Sequence, residues 1–392
     1  MITSIKLTNF LSHGETMTHF KPITLLIGPA GAGKSNLLKA LVLLQNSVSR
    51  SLVELFPPGP SEFDWVRSRW AKETDPIGFE AEVDAIPGYP GERARYTLEF
   101  LDTPLGLCIQ RERLERFKGD QPGEWVFCRQ GQKLHLGEFG DVQGDSPTML
   151  CLINRDPLRR NAAPAVVFAQ AVSRMISRVG YYHLEANELK SLGAGMLSDR
   201  IRYHGEGLPD FIAWAKSTSE GVPVYDALLE EMKELLPHLD TIIVTQAKAG
   251  EQGIAFRFRS HRGFINASEL SDGTLHTLGL LCVTHAARKH GLVCIEEPET
   301  GFHPRRLRWL FDRLVTLAYP KAGEQPVQVI LTSHSPYLVN FFKDMHDAVQ
   351  IVEHKDGHTR VKPLTDILSE LHIKEPSASI GDEWAMGLYE GL

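Results

Sequence analysis

The chain is poor in cysteine and has no long apolar run. Its 392 residues include only Cys108, Cys128, Cys151, Cys282 and Cys294, scattered, odd in number and never spaced C-x-x-C. That argues against a disulfide scaffold or a zinc site and for reduced, mostly buried thiols in a cytoplasmic protein. No apolar run approaches the ~18 residues that a membrane span needs. The opening MITSIKLTNF lacks a cationic stretch followed by a long apolar one, so no secretory leader is expected. There is no internal repeat, no low-complexity tract and no sustained heptad pattern, which sets aside a long coiled coil. Charge of one sign is also scarce: 49 acidic against 42 basic residues give a net −7. This argues against wholesale coating of nucleic acid but leaves room for a local basic patch. With 42% hydrophobic and 23% charged residues, the composition is that of a globular protein, not a disordered or collagen-like one. The length allows a full core and, at ~150 residues per domain, two to three domains.

Three parts are expected. Residues 1–56 hold a strand at Ser4–Leu7, a second at Ile23–Ile27, a Gly-rich turn and a helix over Lys34–Val48 with Leu37, Leu38, Leu41 and Leu44 on one face. Pro57, Pro58, Gly59 and Pro60 then break the chain. Residues 57–265 read as an insertion. Phe79, Ala81, Val83 and Ala85, then Tyr96, Leu98 and Phe100, alternate with polar residues, as in an antiparallel sheet that continues to about residue 136. From about Pro157 to Leu236 the period turns helical, with strands again at Asp240–Thr245 and Ile254–Phe258. Residues 266–392 return to α/β alternation. Leu292–Ile295 and Val327–Thr332 suit buried parallel strands, and a hairpin turning at Asp356-Gly357 precedes a short tail.

Gly28-Pro29-Ala30-Gly31-Ala32-Gly33-Lys34-Ser35, followed by Asn36, fits G-x-x-x-x-G-K-[ST] between a predicted strand and a predicted helix. Such a loop curls its backbone N–H groups round a β-phosphate. Lys34 would reach the β- and γ-phosphates, Ser35 would ligate Mg²⁺, and the helix N-terminus adds partial positive charge. ATP and Mg²⁺ are the expected cofactors.

The apolar run Leu292–Ile295 ends in Glu296-Glu297-Pro298-Glu299. A carboxylate at a strand end can hold the Mg²⁺ hydration shell and a second can orient or deprotonate the attacking water. Glu296 is assigned to the metal and Glu297 to the water. Leu270-Ser271-Asp272-Gly273-Thr274 opens a helix over Leu275–Lys289. Ser271 and Asp272 read as helix caps, or Ser271 and the Gly273 backbone bind a γ-phosphate at that helix N-terminus. Thr332-Ser333-His334-Ser335 ends a strand, and His334 reads as a γ-phosphate sensor.

In this order, P-loop, long insertion, L-S-D-G-T, E-E-P-E and T-S-H-S, the motifs resemble the ABC-type ATPases of the SMC, RecF and OLD group, within the AAA-family ATPases. Leu7-Thr8-Asn9-Phe10-Leu11-Ser12-His13 is similar to the first strand of repair ATPases of that group. The resemblance spans about residues 1–48 and 266–345, a third of the chain. It implies an α/β fold: an ABC-type P-loop NTPase head, a mixed sheet with flanking helices, carrying an antiparallel-β plus helical insertion. It also implies ATP hydrolysis in a homodimer, each ATP sandwiched between the P-loop of one subunit and the signature of the other. Ser271 and Gly273 would then act in trans, with Glu297 the catalytic glutamate and His334 the switch histidine. Thr300–Phe302 would cross to the partner, and Asn9–His13 would lie near adenine and ribose. The chain departs from the group's usual pattern at Asp272, Thr274 and Glu296, where Gly, Gln and Asp are usual. The glutamine that contacts the metal from the insertion is left open among Gln130, Gln143 and Gln170.

OLD proteins carry a C-terminal Toprim nuclease, and 58 residues after His334 are too few for one. Asp366, Glu370, Asp382 and Glu383 accordingly read as solvated. The expectation is an OLD-like ATPase domain without Toprim, a switch or motor acting with a separate nuclease or toxin effector in phage defence or DNA metabolism. Two alternatives stay open: a RecF-like ATPase binding duplex DNA directly, and a non-hydrolysing ATP-bound scaffold. Arg305, Arg306, Arg308 and Arg313 on one predicted helix, and Arg155, Arg159 and Arg160, read as solvated faces before phosphate-contacting patches. Tyr181, Tyr182 and His183 read as core before base-stacking groups.

Overall fold

The computed structural model describes the whole chain except residues 58–61, 105, 120, 132, 136–140, 144–147, 156–163, 248–249, 261, 303, 374–378 and 390–392. The chain divides into two compact units, Met1–Val179 with Phe342–Leu392, and Gly180–Phe341. The class is α/β, as expected. All five cysteines are free, and Cys151, Cys282 and Cys294 are buried. No helix among the described residues is long and apolar enough to cross a membrane.

The first unit begins with β1 (Ile2–Phe10) and β2 (His13–His19), an antiparallel hairpin in which Phe10 pairs with His13. β3 (Ile23–Ile27) follows, buried throughout. Then come β4 (Ile77–Val83), β5 (Glu92–Thr103), β6 (Gly106–Lys118), β7 (Glu124–Gln130), β8 (Lys133–His135) and β9 (Asp141–Gln143). The sheet order is β2-β1-β4-β5-β6-β7-β8-β9, antiparallel throughout. The alternation is realised as far as the strands run: Phe79, Ala81, Val83, Tyr96, Leu98 and Phe100 are all buried, whereas Ala85 lies past the end of β4, exposed and at φ 48°. Phe79 meets Phe10 and Phe100 edge-on at centroid distances of 5.2 and 6.2 Å, so the hairpin and the middle strands share one aromatic core. β2 is an addition to the sequence reading. Its residues, HGETMTH, carry too little apolar character to announce a strand.

In the second unit, β10 (Val179–Tyr182), whose first residue closes the first unit, β11 (Leu239–Gln246), β12 (Gln252–Phe258), β13 (Ile265–Asn266), β14 (Leu292–Glu296) and β15 (Gln328–Ser333) form two sheets. β14 and β15 are buried and parallel, with Glu296 beside Thr332. Within the region from about Pro157 to Leu236, where the period reads as helical, the helices are interrupted by β10 and by an irregular stretch near residues 190–207. A four-residue strand is too short to show a period. Buried Asp210 replaces the ladder there, accepting from the N–H groups of Ala194 and Gly195 and from Gln252 Nε2. The Asp272–Ala287 helix is buried on nearly every face, as a central helix must be.

The chain returns to the first unit through β16 (Val349–Lys355) and β17 (His358–Pro363). β16 runs parallel to β3 and antiparallel to β17. The turn falls at Asp356-Gly357, both with positive φ, 54° and 84°, as a two-residue hairpin of that twist requires.

One buried carboxyl ties the first unit together. Glu112 on β6 is fully buried and accepts from the Tyr96 hydroxyl at 2.8 Å and from Met149 N–H at 2.8 Å, closing the N-terminus of the Met149–Arg155 helix. Next to it, the Thr148 hydroxyl donates to Ser47 O, in the last turn of the helix that follows the Gly-rich loop. Burial pushes the Glu112 carboxyl up to about 7, against the Met149 N–H, Tyr96 and Arg129, which pull it down. A carboxyl raised above its ordinary 4.5 gives stability that is complete below that value and lost as pH rises through about 7. Urea unfolding of the wild type between pH 5 and 8 should therefore show a loss of up to ~3 kcal/mol that Glu112→Gln largely lacks. Equal pH slopes in the two proteins would refute this.

Candidate functional site

The phosphate loop lies in the first unit. β3 ends at Ile27, and a 14-residue helix, Lys34–Ser47, starts after Gly33. A Cβ on Gly28 would lie 1.9 Å from Val352 O, and one on Gly33 would lie 2.1 Å from Thr359 Oγ1. Gly33 also sits at φ 107°, which disfavours any side chain. These two glycines press the loop onto β16 and β17, whereas Gly31 faces open space. The helix has no side-chain cap and no acidic residue in its first turn, which suits a helix start that meets an anion. Lys34 is buried and folds back across the loop, Nζ donating to Gly28 O at 2.8 Å and Pro29 O at 3.0 Å.

The loop is braced from behind. Thr359 Oγ1 lies 2.8 Å from Ala32 O and 2.7 Å from Ser12 Oγ, and Asn36 Nδ2 donates to Ser12 Oγ at 2.8 Å. His13 is fully buried, with Nε2 3.3 Å from Gly33 O and Nδ1 3.1 Å from Thr16 Oγ1. Burial pushes its pKa down to about 4, so the ring is neutral at pH 7. Ser12 and His13 thus support the loop itself, and Asn9 Nδ2 donates to Pro76 O.

The acidic motif lies in the second unit. Glu296, the last residue of β14, is buried, and its Oε1 accepts from the hydroxyls of Tyr181 and Tyr203. His183 Nδ1 lies 3.7 Å from Oε2. The rings of Tyr181 and Tyr203 pack at 4.4 Å, and burial, then the Glu296 carboxylate, raises both phenols. Tyr181 and His183 therefore serve the carboxylate, a role the sequence reading missed. Tyr203 and Glu296 are 93 positions apart, and no local pattern joins them. Glu297 leaves the strand at φ 45°, a left-handed conformation that is costly for a residue with a Cβ. Its N–H donates to Thr332 O, and its Oε1 lies 3.2 Å from His334 Nε2. The structure thus brings Glu297 and His334 together at the ends of two parallel strands.

The signature also lies in the second unit. Ser271 is the N-cap of the Asp272–Ala287 helix, Oγ accepting from Thr274 N–H at 3.3 Å. Asp272 is exposed and pairs with Lys190 at 2.6 Å. A Cβ on Gly273 would meet Gly301 O at 2.4 Å, so the Thr300–Phe302 loop lies directly on the start of this helix.

On the basic helix, Pro304–Ala318, Arg308 and Arg313 have acidic partners. Arg313 reaches Glu231 at 2.7 Å and Arg308 reaches Asp312 at 3.1 Å. The side chains of Arg305 and Arg155, and residues Arg159 and Arg160, lie outside the described residues, as does the side chain of Gln143. Gln130 is exposed at the end of β7, and Gln170 is half-buried in the Pro164–Ile176 helix. Asp366, Glu370 and Asp382 are exposed, as expected, whereas half-buried Glu383 accepts from the Tyr389 hydroxyl.

A family model described as "AAA domain, putative AbiEii toxin, Type IV TA system" matches residues 23–145 and 154–340. The chain belongs to this family of AAA-domain ATPases. ATP and Mg²⁺ are the cofactors such ATPases imply, and the open space at Gly31, the uncapped helix start and Lys34 fit a polyphosphate. Among the described residues no group of three or more His, Cys, Asp or Glu is placed to hold a metal by itself. Mg²⁺ held through one or two protein groups and phosphate oxygens needs none. No curated protein matches the chain. Similar solved structures include an SMC head bound to the C-terminal winged-helix domain of ScpA, 12% identical with TM-score 0.47, covering 92% of this chain and 96% of that one. Another is the SMC head domain from Thermotoga maritima, 14% identical with TM-score 0.39, covering 92% and 98%. A third, from Pyrococcus furiosus, is an SMC head with extended coiled coil bound to the C-terminal domain of ScpA, 10% identical with TM-score 0.45, covering 95% and 98%.

Because the brace is made of hydroxyls, Thr359→Val removes it at nearly constant volume. We expect this variant to lose about 1–2 kcal/mol in urea unfolding. Fluorescent ATP analogue titrations should show several-fold weaker binding, and Thr359→Ser should restore it. Unchanged binding in Thr359→Val would show that the brace does not shape the loop.

Proposed function

We propose that this AAA-domain ATPase is an ATP-hydrolysing dimerisation switch. The observation that carries the reading is the pairing of Glu297 with His334, 3.2 Å apart where two buried parallel strands end. Glu297 orients the attacking water and receives its proton as the water oxygen bonds the γ-phosphorus and the bond to the bridging oxygen breaks. His334 holds Glu297 in place and donates to the γ-phosphate. Lys34 exchanges its carbonyl partners for phosphate oxygens, and the amides of the loop and helix start bind the rest of the polyphosphate. Ser35 and Glu296 would hold Mg²⁺, which would supply charge to offset that developing on the phosphate.

Residues 57–265 are, in this reading, an insertion in the ATPase head and a surface for regulation. Ser271 and Gly273 bind the γ-phosphate held by a second copy. What supports this is the place of Ser271 and Gly273 at the start of a 16-residue helix, whose partial positive charge favours an anion. Hydrolysis then separates the copies. The type IV toxin–antitoxin wording of the family description supports action beside a second protein, which in this reading is a separate nuclease or toxin effector. Direct duplex binding has no comparable support, because Arg308 and Arg313 are engaged by acidic neighbours.

Light scattering on Glu297→Gln tests the switch. The expected result is a doubling of mass only with ATP and Mg²⁺, abolished by adding Ser271→Arg. A mass that is the same with and without nucleotide would overturn it.

A further inference from the structure

Glu299 has no role in what precedes, yet it is built into the end of the parallel strand pair. Its Oε1 accepts from the Ser333 hydroxyl at 2.5 Å and from His334 N–H at 3.1 Å. Its Oε2 is buried and, among the described residues, has no hydrogen-bond partner. Two turns, Thr300 N–H to Glu297 O and Phe302 N–H to Glu299 O, both at 3.0 Å, fold this segment so that the Glu299 side chain returns to the end of β15. Ser333 Oγ in turn accepts from Ser335 N–H at 2.8 Å.

His334 is the first residue beyond β15, so its N–H lies outside the ladder, and Glu299 accepts it instead. The imidazole that reaches Glu297 therefore hangs from a backbone fixed by Glu299. Burying a carboxyl with one oxygen unpaired is costly. An apolar residue of that size would fill the same space without the cost.

We propose that Glu299 is a positioning residue for ATP hydrolysis: by holding Ser333 and the His334 amide on one carboxyl oxygen, it sets the distance between the His334 imidazole and Glu297. This rests on the hydrolytic reading above, but the placement can be measured without turnover.

The test uses the full chain with ¹⁵N-labelled histidine, the His334 ring signals being assigned from His334→Gln. Glu299→Leu, close in volume, should fold with a melting temperature at or above that of the wild type, yet shift the His334 ring signals at fixed pH. Glu299→Gln, whose carbonyl can accept both hydrogen bonds, should restore them. Ser333→Ala should move them in the direction of Glu299→Leu, which keeps the test decisive if Glu299→Leu fails to fold. Steady-state hydrolysis by Glu299→Leu should fall on the order of 10- to 100-fold in kcat with KM little changed, as misplacement of a catalytic pair does. His334 signals identical to wild type in Glu299→Leu, or in Ser333→Ala should the former not fold, would overturn the proposal, as would a Glu299→Gln spectrum matching Glu299→Leu. A wild type that turns over no ATP while its His334 signals respond as described would remove the hydrolytic reading and leave the placement standing.

Discussion

A phosphate loop can offer its amides to an anion only if its backbone is held against something rigid. Here that constraint is the close approach of Gly28 to the Val352 carbonyl and of Gly33 to the Thr359 hydroxyl. Neither position has room for a Cβ, so the loop lies flush on the β16–β17 hairpin. From this follow the direction of the Lys34–Ser47 helix, the folded-back Lys34 and the open space at Gly31. The brace is polar, through Thr359, Ser12, Asn36 and His13, so directional hydrogen bonds fix the loop where apolar contacts could slide. Burial disfavours a charged His13, and its depressed pKa keeps it neutral.

In the second unit the same economy applies to negative charge. Three carboxyls crowd the end of β14, and each has a different solution. Glu296 is held by two phenols and a histidine, Glu297 is half-exposed beside His334, and Glu299 is half-buried, bonded to Ser333. Burial raises the Glu299 carboxyl, opposed by the Ser333 hydroxyl and the His334 N–H, while the nearby Glu297 adds to the rise. Environments that push neighbouring carboxyls apart in protonation are how a site separates a base from its supports. The left-handed φ of Glu297 places strain where the chemistry is proposed.

Much of this was legible in residues close together in sequence. The G-x-x-x-x-G-K-S spacing, the apolar face of its helix, the two short buried parallel strands and the Asp356-Gly357 turn are local patterns, and local patterns carry their own period or turn chemistry. What was not legible is long-range and polar. Thr359 braces Ala32 from 327 positions away, and Tyr181 reaches Glu296 from 115 away. β2 was missed because its burial is secured by the aromatic core of its neighbours and by the side chains of His13 and Thr16. Ser271 is the helix cap that its position in the sequence announces, Oγ accepting from Thr274 N–H.

The central claim is that Glu297 acts on water while the loop holds the nucleotide. Single-turnover phosphate release with saturating ATP and Mg²⁺, beside equilibrium ATP binding, addresses it directly in wild type and Glu297→Gln. The account predicts equal affinities within about twofold and release slowed on the order of 100-fold or more in the variant. Equal release rates in the two proteins would contradict it.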